Sequence, residues 1–397
     1  MVAVKMFKYR LYPSAKQELR LVNQFKICKE TYNTLLDLNK KLRVTRKFDL
    51  NGLVMDLKCA NPLLAKKVHS QVLQNVSDRL SKAFDNFFER LKLREQGVKV
   101  KAGFPRFKSK VTSLTFPQNN GAFKFISDKK LKISKVGVLP IVLHRVPRGK
   151  IKTLTVKREK SGKWFAVFSC EVEPEQSVPL GERSSVGLDL GLETFAYLSD
   201  GEFVSNPRFF RKGEVKIRRA QRRLSRKKKG SRNRSKQRVR LARTHERIGN
   251  QRSDFVHKTS NDLVSRYETI FVEDLKVKNM IKNKRLSKSI GDVSWRGFVD
   301  SLSYKAVMSG GQVIKVSPKN TSKTCSKCGF VKEELSLQDR QFVCGGCGFV
   351  VHRDLNAAIN VFRVGMGGAE FTPVGHSVRP LFSGAVVDEA GTIYNET

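Results

Sequence analysis

The chain has 397 residues, which favours two or three domains, and its 39% hydrophobic content excludes a disordered basic tail. It carries 78 lysines and arginines against 36 acidic residues, a formal net charge of +42 that repels itself in a compact fold unless a polyanion neutralises it. Nucleic acid is therefore the expected partner. A membrane is not expected, because we find no run of 18 apolar residues, no lipidation motif and no signal peptide. These observations favour a cytoplasmic protein.

The first half of the chain predicts a strand, then helices, then further strands. Residues 7–12 alternate apolar and basic side chains, which is typical of a strand. The segment that follows has a helical apolar period, clearest over residues 68–93. Residues 112–173 return to strand patterns. We therefore expect a small antiparallel barrel, joined by the N-terminal strand, with a helical subdomain inserted between its first and second strands.

A hairpin is expected within the second group of strands. Residues 151–172 contain two apolar runs separated by a turn at Ser161-Gly162. We expect the apolar residues of the two runs to face one another across this turn, with Leu154 and Val156 opposite Phe165, Val167 and Cys170.

From residue 181 onward, short strands alternate with helices. Three strands are predicted first, over residues 186–192, over residues 194–198 and after the turn at Asp200-Gly201. Then follow a basic helix-capable stretch, a strand that ends at Glu273, a helix from Trp295, a strand over residues 312–316 and a last helix. An RNase H-like α/β domain has this order of elements: three strands, then a helix, a strand, a helix, a strand and a last helix.

Three acidic residues occupy positions that favour a shared metal site. Asp189 lies on the strand face opposite the aliphatic residues, between Gly187 and Gly191, which we expect to leave room for a metal ion and a phosphate backbone. Glu273 ends an apolar strand, where ligands of open α/β sheets collect, and Asp354 begins a helix. Taken singly, Asp189 also fits a solvent-facing turn residue and the other two fit helix caps. Together they can hold two divalent ions about 3.5–4 Å apart, an arrangement that hydrolyses phosphodiesters.

Four cysteines form the most specific motif of the chain. They make two C-x-x-C pairs separated by fifteen residues, and a glycine follows each pair: Cys325 and Cys328, then Cys344 and Cys347. This spacing predicts a tetrahedral Zn²⁺ site, and four cysteine ligands leave no open position for catalysis, so we expect a structural ion. The remaining cysteines lie among apolar residues and are expected to be buried free thiols: Cys28, Cys59 and Cys170.

The basic segment 208–247 contains nineteen lysines and arginines and two acidic residues. Taken alone, it fits a solvated charge run. With nucleic acid bound, we expect it to lie along phosphates as helix, with Arg222, Arg223 and Arg226 as candidate contacts. Charge alone does not distinguish RNA from DNA.

Motifs in one order along nearly the whole chain resemble those of the TnpB family, transposon-encoded RNA-guided DNA endonucleases related to type V CRISPR effectors. The motifs are Tyr9-Arg10-Leu11-Tyr12-Pro13, Lys82-Ala83-Phe84-Asp85-Asn86-Phe87-Phe88, Gly103-Phe104-Pro105-Arg106-Phe107-Lys108, Gly187-Leu188-Asp189-Leu190-Gly191, Val272-Glu273-Asp274-Leu275, Trp295 with Phe298, and Thr321-Ser322-Lys323-Thr324-Cys325 through Asp354-Leu355-Asn356-Ala357-Ala358. The chain departs from the family at His352, where an acid often stands two residues before the last aspartate.

The resemblance implies a multidomain α+β and α/β protein. A wedge-like β-barrel with an inserted helical recognition lobe would precede a RuvC/RNase H-like α/β nuclease domain that contains a four-cysteine zinc ribbon. The expected segments are residues 1–13 and 101–180 for the barrel, 14–100 for the lobe, 181–317 and 352–365 for the nuclease domain, 318–351 for the zinc-ribbon, target-nucleic-acid-binding insert, and 366–397 for a flexible tail.

The resemblance also implies an activity. Asp189, Glu273 and Asp354 would be the catalytic metal-binding triad, with Mg²⁺ expected from hard oxygen ligands and Mn²⁺ fitting the same site. A guide RNA transcribed from the transposon end would direct cleavage of double-stranded DNA next to a short transposon-adjacent motif. We expect a prokaryotic, nucleoid-associated protein that acts as a monomer on one RNA.

In the family, the adjacent DNA motif is read by the helical lobe and the barrel. Asparagine and glutamine can read adenine edges bidentately, and polar residues in the matching segments are therefore candidate readers. They are Gln71, Gln74 and Asn75 on the helix from residue 68, and Thr115, Gln118 and Asn119 after the first barrel strand. Each of them fits an ordinary exposed polar residue equally well.

Three other functions fit parts of the sequence. An RNA-guided DNA-binding regulator that no longer cuts is expected to lose one or more of the three acids, and all are present. A zinc-ribbon DNA-binding transposition accessory protein would not need the acids, and its binding should survive RNase treatment. A compact CRISPR effector would share the enzyme, and only neighbouring genes would distinguish it.

Overall fold

The computed structural model describes residues 3–118, 121–172, 183–336 and 339–367. These residues form two compact units that divide between residues 172 and 183. None of the helices in these ranges combines the length and the apolar character needed to cross a bilayer. Most of the expected C-terminal tail lies outside the described residues.

The first unit contains seven strands and four helices in its described residues. The strands are β1 (Ala3–Leu11), β2 (Ser113–Phe116), β3 (Phe123–Ser127), β4 (Lys130–Ile133), β5 (Gly137–Val142), β6 (Lys150–Arg158) and β7 (Trp164–Val172). The helices are α1 (Ala15–Leu42), α2 (Lys47–Ala60), α3 (Pro62–Lys67) and α4 (Ser70–Glu95). All four helices lie between β1 and β2 in the chain. Helix α1 begins at a capping box in which Ser14 and Gln17 bond each other's backbone N–H groups.

The seven strands form one antiparallel sheet in the order β2-β6-β7-β1-β5-β4-β3. Phe123 and Phe125 of β3 contact Phe168 of β7, with ring centroids 5.8 Å and 5.2 Å apart, although three strands lie between them. Strands in a flat sheet are about 4.8 Å apart, so this contact requires the sheet to curl strongly. The described edge strands β2 and β3 do not pair with each other, so the sheet is a curled half-barrel, which is as much of the predicted antiparallel barrel as the structure shows. At one edge α4 lies beside β2, where Arg79 donates to Thr115 Oγ1 at 2.7 Å.

The predicted hairpin is confirmed, with a corrected register. Leu154 pairs with Phe168 and Val156 pairs with Ala166. Successive residues of a strand point to opposite faces, so Phe165 and Val167 cannot share a face with these partners. Phe165 instead lies under the Lys8 ammonium, 4.2 Å from the ring centroid.

Of the three free thiols in the first unit, two are buried and one is exposed. Cys28 and Cys170 are buried as predicted, and burial raises the pKa of Cys28 to about 12 and that of Cys170 to about 11. Cys59 is exposed on α2, so the prediction that it is buried is wrong. Leu57, two residues earlier, packs against the core and therefore lies on another face of the helix.

The second unit contains seven further strands and six helices in its described residues. The strands are β8 (Ser184–Asp189), β9 (Thr194–Leu198), β10 (Phe203–Ser205), β11 (Tyr267–Glu273), β12 (Gln312–Val316), β13 (Gln341–Val343) and β14 (Val350–His352). The helices are α5 (Phe209–Ser225), α6 (Arg232–Arg266), α7 (Val277–Met280), α8 (Ser287–Val293), α9 (Trp295–Met308) and α10 (Arg353–Gly365). The basic segment forms α5 and the first part of α6.

Five of these strands form a mixed sheet in the order β10-β9-β8-β11-β12. Strand β9 is antiparallel to β8, and β11 is parallel to both β8 and β12. Val186 and Leu188 pack into a core with residues of α6 and α9. On the other face, Tyr197 packs against Leu355 and neighbouring residues of α10. The sheet is therefore covered by α6 and α9 on one face and by α10 on the other.

Candidate metal centres and nucleic-acid interface

The three acids of the predicted triad come together at one edge of the five-stranded sheet. Asp189 is the last residue of β8, and Glu273 is the last residue of β11. These strands are parallel neighbours, so their carboxyl ends meet at the same edge. Asp354 lies in the first turn of α10, which packs across the same strands. The fold therefore brings these three acids close enough for the charges of Glu273 and Asp354 to act on Asp189. We call this group of three residues the acidic recess.

The recess concentrates negative charge. Burial, together with the charges of Glu273 and Asp354, raises the pKa of Asp189 well above its usual range, and Arg353 opposes this only in part. Burial also raises the pKa of Glu273, although a hydrogen bond from Thr321 Oγ1 to Glu273 Oε1, 2.5 Å long, works in the other direction. A divalent cation, which prefers hard oxygen ligands, would offset the repulsion between these carboxylates. Among the described residues, however, it is the four thiols of the zinc motif, and not these three acids, whose ligand atoms all lie within 4.8 Å of one another.

Cation binding in this recess should be visible in thermal unfolding. Folding raises the pKa of Asp189, so the ionised carboxylate destabilises the metal-free fold at pH 7. We expect Asp189→Asn to raise the Tm by a few degrees in a chelator. Added Mg²⁺ should raise the Tm of the wild type more than that of the variant. Calorimetry at pH 7 checks both results, and a variant that melts below the wild type in chelator would contradict this assignment.

Residues next to the third acid hold it in place. Arg353 donates from Nη2 and Nε to Asp354 Oδ1 at 3.1 Å and 3.2 Å. The backbone N–H of Asp354 donates to His352 Nδ1 at 3.3 Å, so His352 is the N-cap of α10. The His352 ring also stacks on Tyr197, with centroids 4.7 Å apart. Asp354 is therefore not the helix cap, and His352 has a structural role where the family often has an acid.

The two glycines beside Asp189 are required for packing and do not leave room for a metal ion or a phosphate. A Cβ added to Gly187 would lie 2.4 Å from the carbonyl oxygen of Ala358 and 2.6 Å from the backbone nitrogen of Phe362. At Gly191 the added Cβ would lie 2.6 Å from the carbonyl oxygen of Thr194. The space at Gly187 is filled by the backbone of α10, and the expectation from the sequence is wrong on this point.

Gly187→Ala should therefore displace α10, and with it Asp354. We expect a loss of about 1–3 kcal/mol of unfolding free energy, because backbone atoms cannot move aside as a side chain can. The matched control is Gly249→Ala in α6, where an added Cβ meets no atom within 4 Å and the helix should gain up to about 1 kcal/mol. Chemical denaturation measures both changes. Equal stability of the two variants would show that β8 and α10 are not in close contact.

The four cysteines of the zinc motif form a compact thiol cluster. The Sγ atoms of Cys325, Cys328, Cys344 and Cys347 all lie within 4.8 Å of one another, an arrangement able to hold a metal ion. Backbone N–H groups of Cys347 and Gly346 donate to Cys344 Sγ and, against the effect of burial, lower the pKa of Cys344 to about 6. The pKa of Cys325 and that of Cys347 are raised instead, Cys325 chiefly by burial and Cys347 by hydrogen bonds to the neighbouring thiols. It is therefore the closeness of the four Sγ atoms that fits a tetrahedral metal ion.

The thiol cluster is tied to the acidic recess by polar residues whose roles the sequence did not reveal. Asn356, fully buried in α10, accepts the N–H of Ser326 at 2.8 Å and donates to the carbonyl of Thr324 at 2.7 Å. Asn360 donates to the carbonyls of Thr321 and Thr324 at 2.8 Å and 2.6 Å. Thr321 in turn donates to Glu273. The available sequence signal was two asparagines four residues apart on the apolar face of a helix.

The candidate motif readers are placed in different ways. Gln71 is buried, Asn75 is half-buried, and Gln74 and Gln118 are exposed. Thr115 accepts a hydrogen bond from Arg79. Asn75 and Thr115 line one narrow cleft between α4 and β2, together with Arg79 and Lys108. Asn119 lies outside the described residues.

The basic helices present their cations to solvent. Arg222, Arg223 and Arg226 are exposed at the end of α5. The start of α5 is held by Asp292 of α8, which accepts the backbone N–H of Phe210 at 2.9 Å. No local pattern identifies Asp292, because it caps a helix about eighty residues earlier in the chain.

Comparisons with known proteins agree with this architecture. The OrfB_IS605 family, described as "Probable transposase", matches residues 167–284, and a Cas12f1-like TNB domain matches residues 295–361. A family described as a helix-turn-helix domain matches residues 1–47, which form a strand and one long helix here. The cryo-EM structure of a Cas12f1-sgRNA-target DNA complex shares the fold, with a TM-score of 0.55 at 16% identity over 91% of this chain and 98% of that one.

Two relatives are similar along nearly their whole length. A "Putative RNA-guided DNA endonuclease" of Streptomyces pristinaespiralis is 32% identical over 95% of this chain and 92% of its own length. InsQ of Escherichia coli (strain K12), which carries the same description, is 31% identical over 96% of this chain and 97% of its own length. More distant relatives are named TnpB-like proteins. On this similarity, the chain belongs to the TnpB family.

Proposed function

We propose that the protein is an RNA-guided DNA endonuclease that cuts double-stranded DNA next to a short transposon-adjacent motif. The observation that carries this proposal is that Asp189 and Glu273, at the carboxyl ends of parallel strands, meet Asp354 at the start of α10, where burial and the charges of the other two acids raise the pKa of Asp189. The sheet order β10-β9-β8-β11-β12 supports a RuvC-like, RNase H-related domain. The descriptions of the two relatives as RNA-guided DNA endonucleases point to the same substrate.

The three carboxylates would hold two Mg²⁺ ions, and Mn²⁺ fits the same oxygen ligands. Bound there, the cations would supply the positive charge that the transition state of phosphodiester hydrolysis requires. The chain's own residues set the geometry of the ligands. Arg353 orients Asp354, and Thr321 orients Glu273 through its hydroxyl group. The thiol cluster would hold a structural Zn²⁺.

Binding of guide RNA and target DNA is proposed for the basic surfaces. The exposed arginines of α5 and the following part of α6 would contact phosphates, with base pairing supplying sequence recognition. Residues 14–100 would act as the recognition lobe, and residues 318–351 as the insert that binds target nucleic acid. The cleft beside Asn75 and Thr115 is the proposed place where the adjacent motif is read.

The first experiment is to express the protein from its native locus, purify it and sequence the RNA that co-purifies. We expect one discrete species with a constant scaffold and a short variable end. That variable end defines a DNA target, which is then tested for cleavage in Mg²⁺. A mixture of unrelated cellular RNAs would show nonspecific binding and would favour a zinc-ribbon accessory protein.

A further inference from the structure

A second recess opens beside Glu273 on the α9 side of the five-stranded sheet. Its volume is about 470 Å³, within the range of small-ligand sites. Its lining includes Glu273, Trp295 and Arg296, together with the lysines at 276, 278 and 315. Asp189 and Asp354 are not part of this lining, so the recess adjoins the acidic site without being the same site. We name it the α9 groove.

The groove contains the uncapped start of a helix. Helix α9 begins after Ser294, which has a left-handed φ of 57° and makes no side-chain cap hydrogen bond. The first N–H groups of a helix lack partners within it and form its positive end. Trp295 and Arg296 of this first turn line the groove. Such a helix start is suited to an anion, and to phosphate in particular.

A buried donor provides an independent indication of a ligand. Trp295 is 3% exposed and lines the groove, and its Nε1–H has no hydrogen-bond partner among the described residues. Almost all buried donors in folded proteins are paired, since an unpaired one destabilises the fold. An oxygen atom of a ligand in the groove would satisfy this group.

The charges around the groove favour an extended anion. Lys276 and Lys278 are exposed, and neither makes an ion pair with another residue in the described part of the chain. Lys315 and Arg296 make only long, exposed ion pairs, at 3.9 Å with Asp274 and 3.7 Å with Asp300. Exposed ion pairs of this kind contribute little to stability, so a phosphate can replace the acidic partner. The four cations exceed the two exposed acids, and they line the same groove as Glu273.

We propose that the α9 groove binds a phosphate of the DNA strand being cut, one or a few nucleotides from the scissile bond. This inference rests on the proposed function and extends it. Lys276 and Lys278 contact the phosphate together with the uncapped start of α9, and Trp295 Nε1–H donates to an oxygen of the same nucleotide. The groove thus sets the register of the strand relative to Glu273.

The first test uses Lys276→Ala/Lys278→Ala against Lys282→Ala/Lys284→Ala. The control removes the same charge from exposed lysines of the same segment that lie outside the groove. With guide-programmed protein, we expect the groove variant to cut roughly tenfold more slowly and to lose about one to two units from the salt slope of DNA binding. A neutral methylphosphonate near the cut should slow the wild type and have little further effect on the groove variant. Equal behaviour of the two double variants would overturn the proposal.

The second test does not require cleavage. The chain has two tryptophans, so Trp164→Phe leaves Trp295 as the only indole. We expect a short single-stranded DNA oligonucleotide to change the emission of Trp295 saturably, and Lys276→Ala/Lys278→Ala to weaken that response while Lys282→Ala/Lys284→Ala does not. If the protein cuts no DNA but this response is present, the nuclease assignment fails and the groove stands. If it cuts DNA and this response is absent, the groove fails alone.

Discussion

Asp189→Asn is expected to abolish DNA cleavage, by at least about a thousandfold, while guide RNA and target DNA still bind. Asparagine keeps the shape of the side chain but removes the charge that a divalent cation requires. Asp189 is the acid whose pKa is most affected by the recess, because burial acts together with the charges of Glu273 and Asp354. Binding should be retained because the substitution leaves the exposed arginines of α5 and α6 unchanged.

The matched control is Asp262→Asn, which removes a carboxylate from the end of α6. Asp262 makes an i,i+4 ion pair with Arg266 at 3.5 Å, with the two side chains 32% and 31% exposed. Helical pairs of this spacing contribute only about 0.3–0.5 kcal/mol to stability. Single-turnover cleavage and filter binding should be measured on both variants with the same guide. Parallel loss of binding and cleavage in Asp189→Asn would contradict the role assigned to Asp189.

Loss of the thiol cluster should also abolish cleavage, although it is not part of the acidic recess. We expect Cys325→Ser to reduce cleavage at least about a hundredfold, since structural zinc contributes about 10–16 kcal/mol to small folds that depend on it. The physical link is the chain of hydrogen bonds from Thr324 and Ser326 to Asn356 and Asn360, and from Thr321 to Glu273. Without a folded ribbon, Glu273 loses the hydroxyl group that orients it.

Two further variants separate folding of the ribbon from orientation of the carboxylate. Cys59→Ser changes an exposed thiol of the first unit and should leave cleavage and metal content unchanged. Thr321→Val keeps the metal and the shape of the side chain but removes the bond to Glu273, so cleavage should fall about tenfold. Metal content is measured together with cleavage. A Cys325→Ser protein that has lost its metal but cuts at the normal rate would show that the ribbon does not position Glu273.

Much of the second unit could be predicted because its signals are local. The strand that contains Asp189, the strand that ends at Glu273 and the helix that begins beside Asp354 follow from apolar periods of two and 3.6 residues. The first of these strands ends at Asp189, however, and not at residue 192 as predicted. The C-x-x-C spacing of the cysteines is also a local signal, because each pair lies in one short loop. The four thiols do lie within 4.8 Å of one another. Pairing in the β6–β7 hairpin was harder to predict, because a register error of one residue exchanges the two faces of a strand.

From the sequence we could predict the order of strands and helices, the family and the clustering of the four thiols, and we selected the three acids for which a catalytic role is proposed. The folded chain was needed to show that the first sheet has open edges, that the backbone of α10 approaches Gly187, that His352 caps that helix, and that Asn356 and Asn360 join it to the ribbon. The physical reason is that each of these features depends on atoms brought together from distant parts of the chain. Close packing and buried hydrogen bonds have no local pattern, so they appear only when both partners are in place.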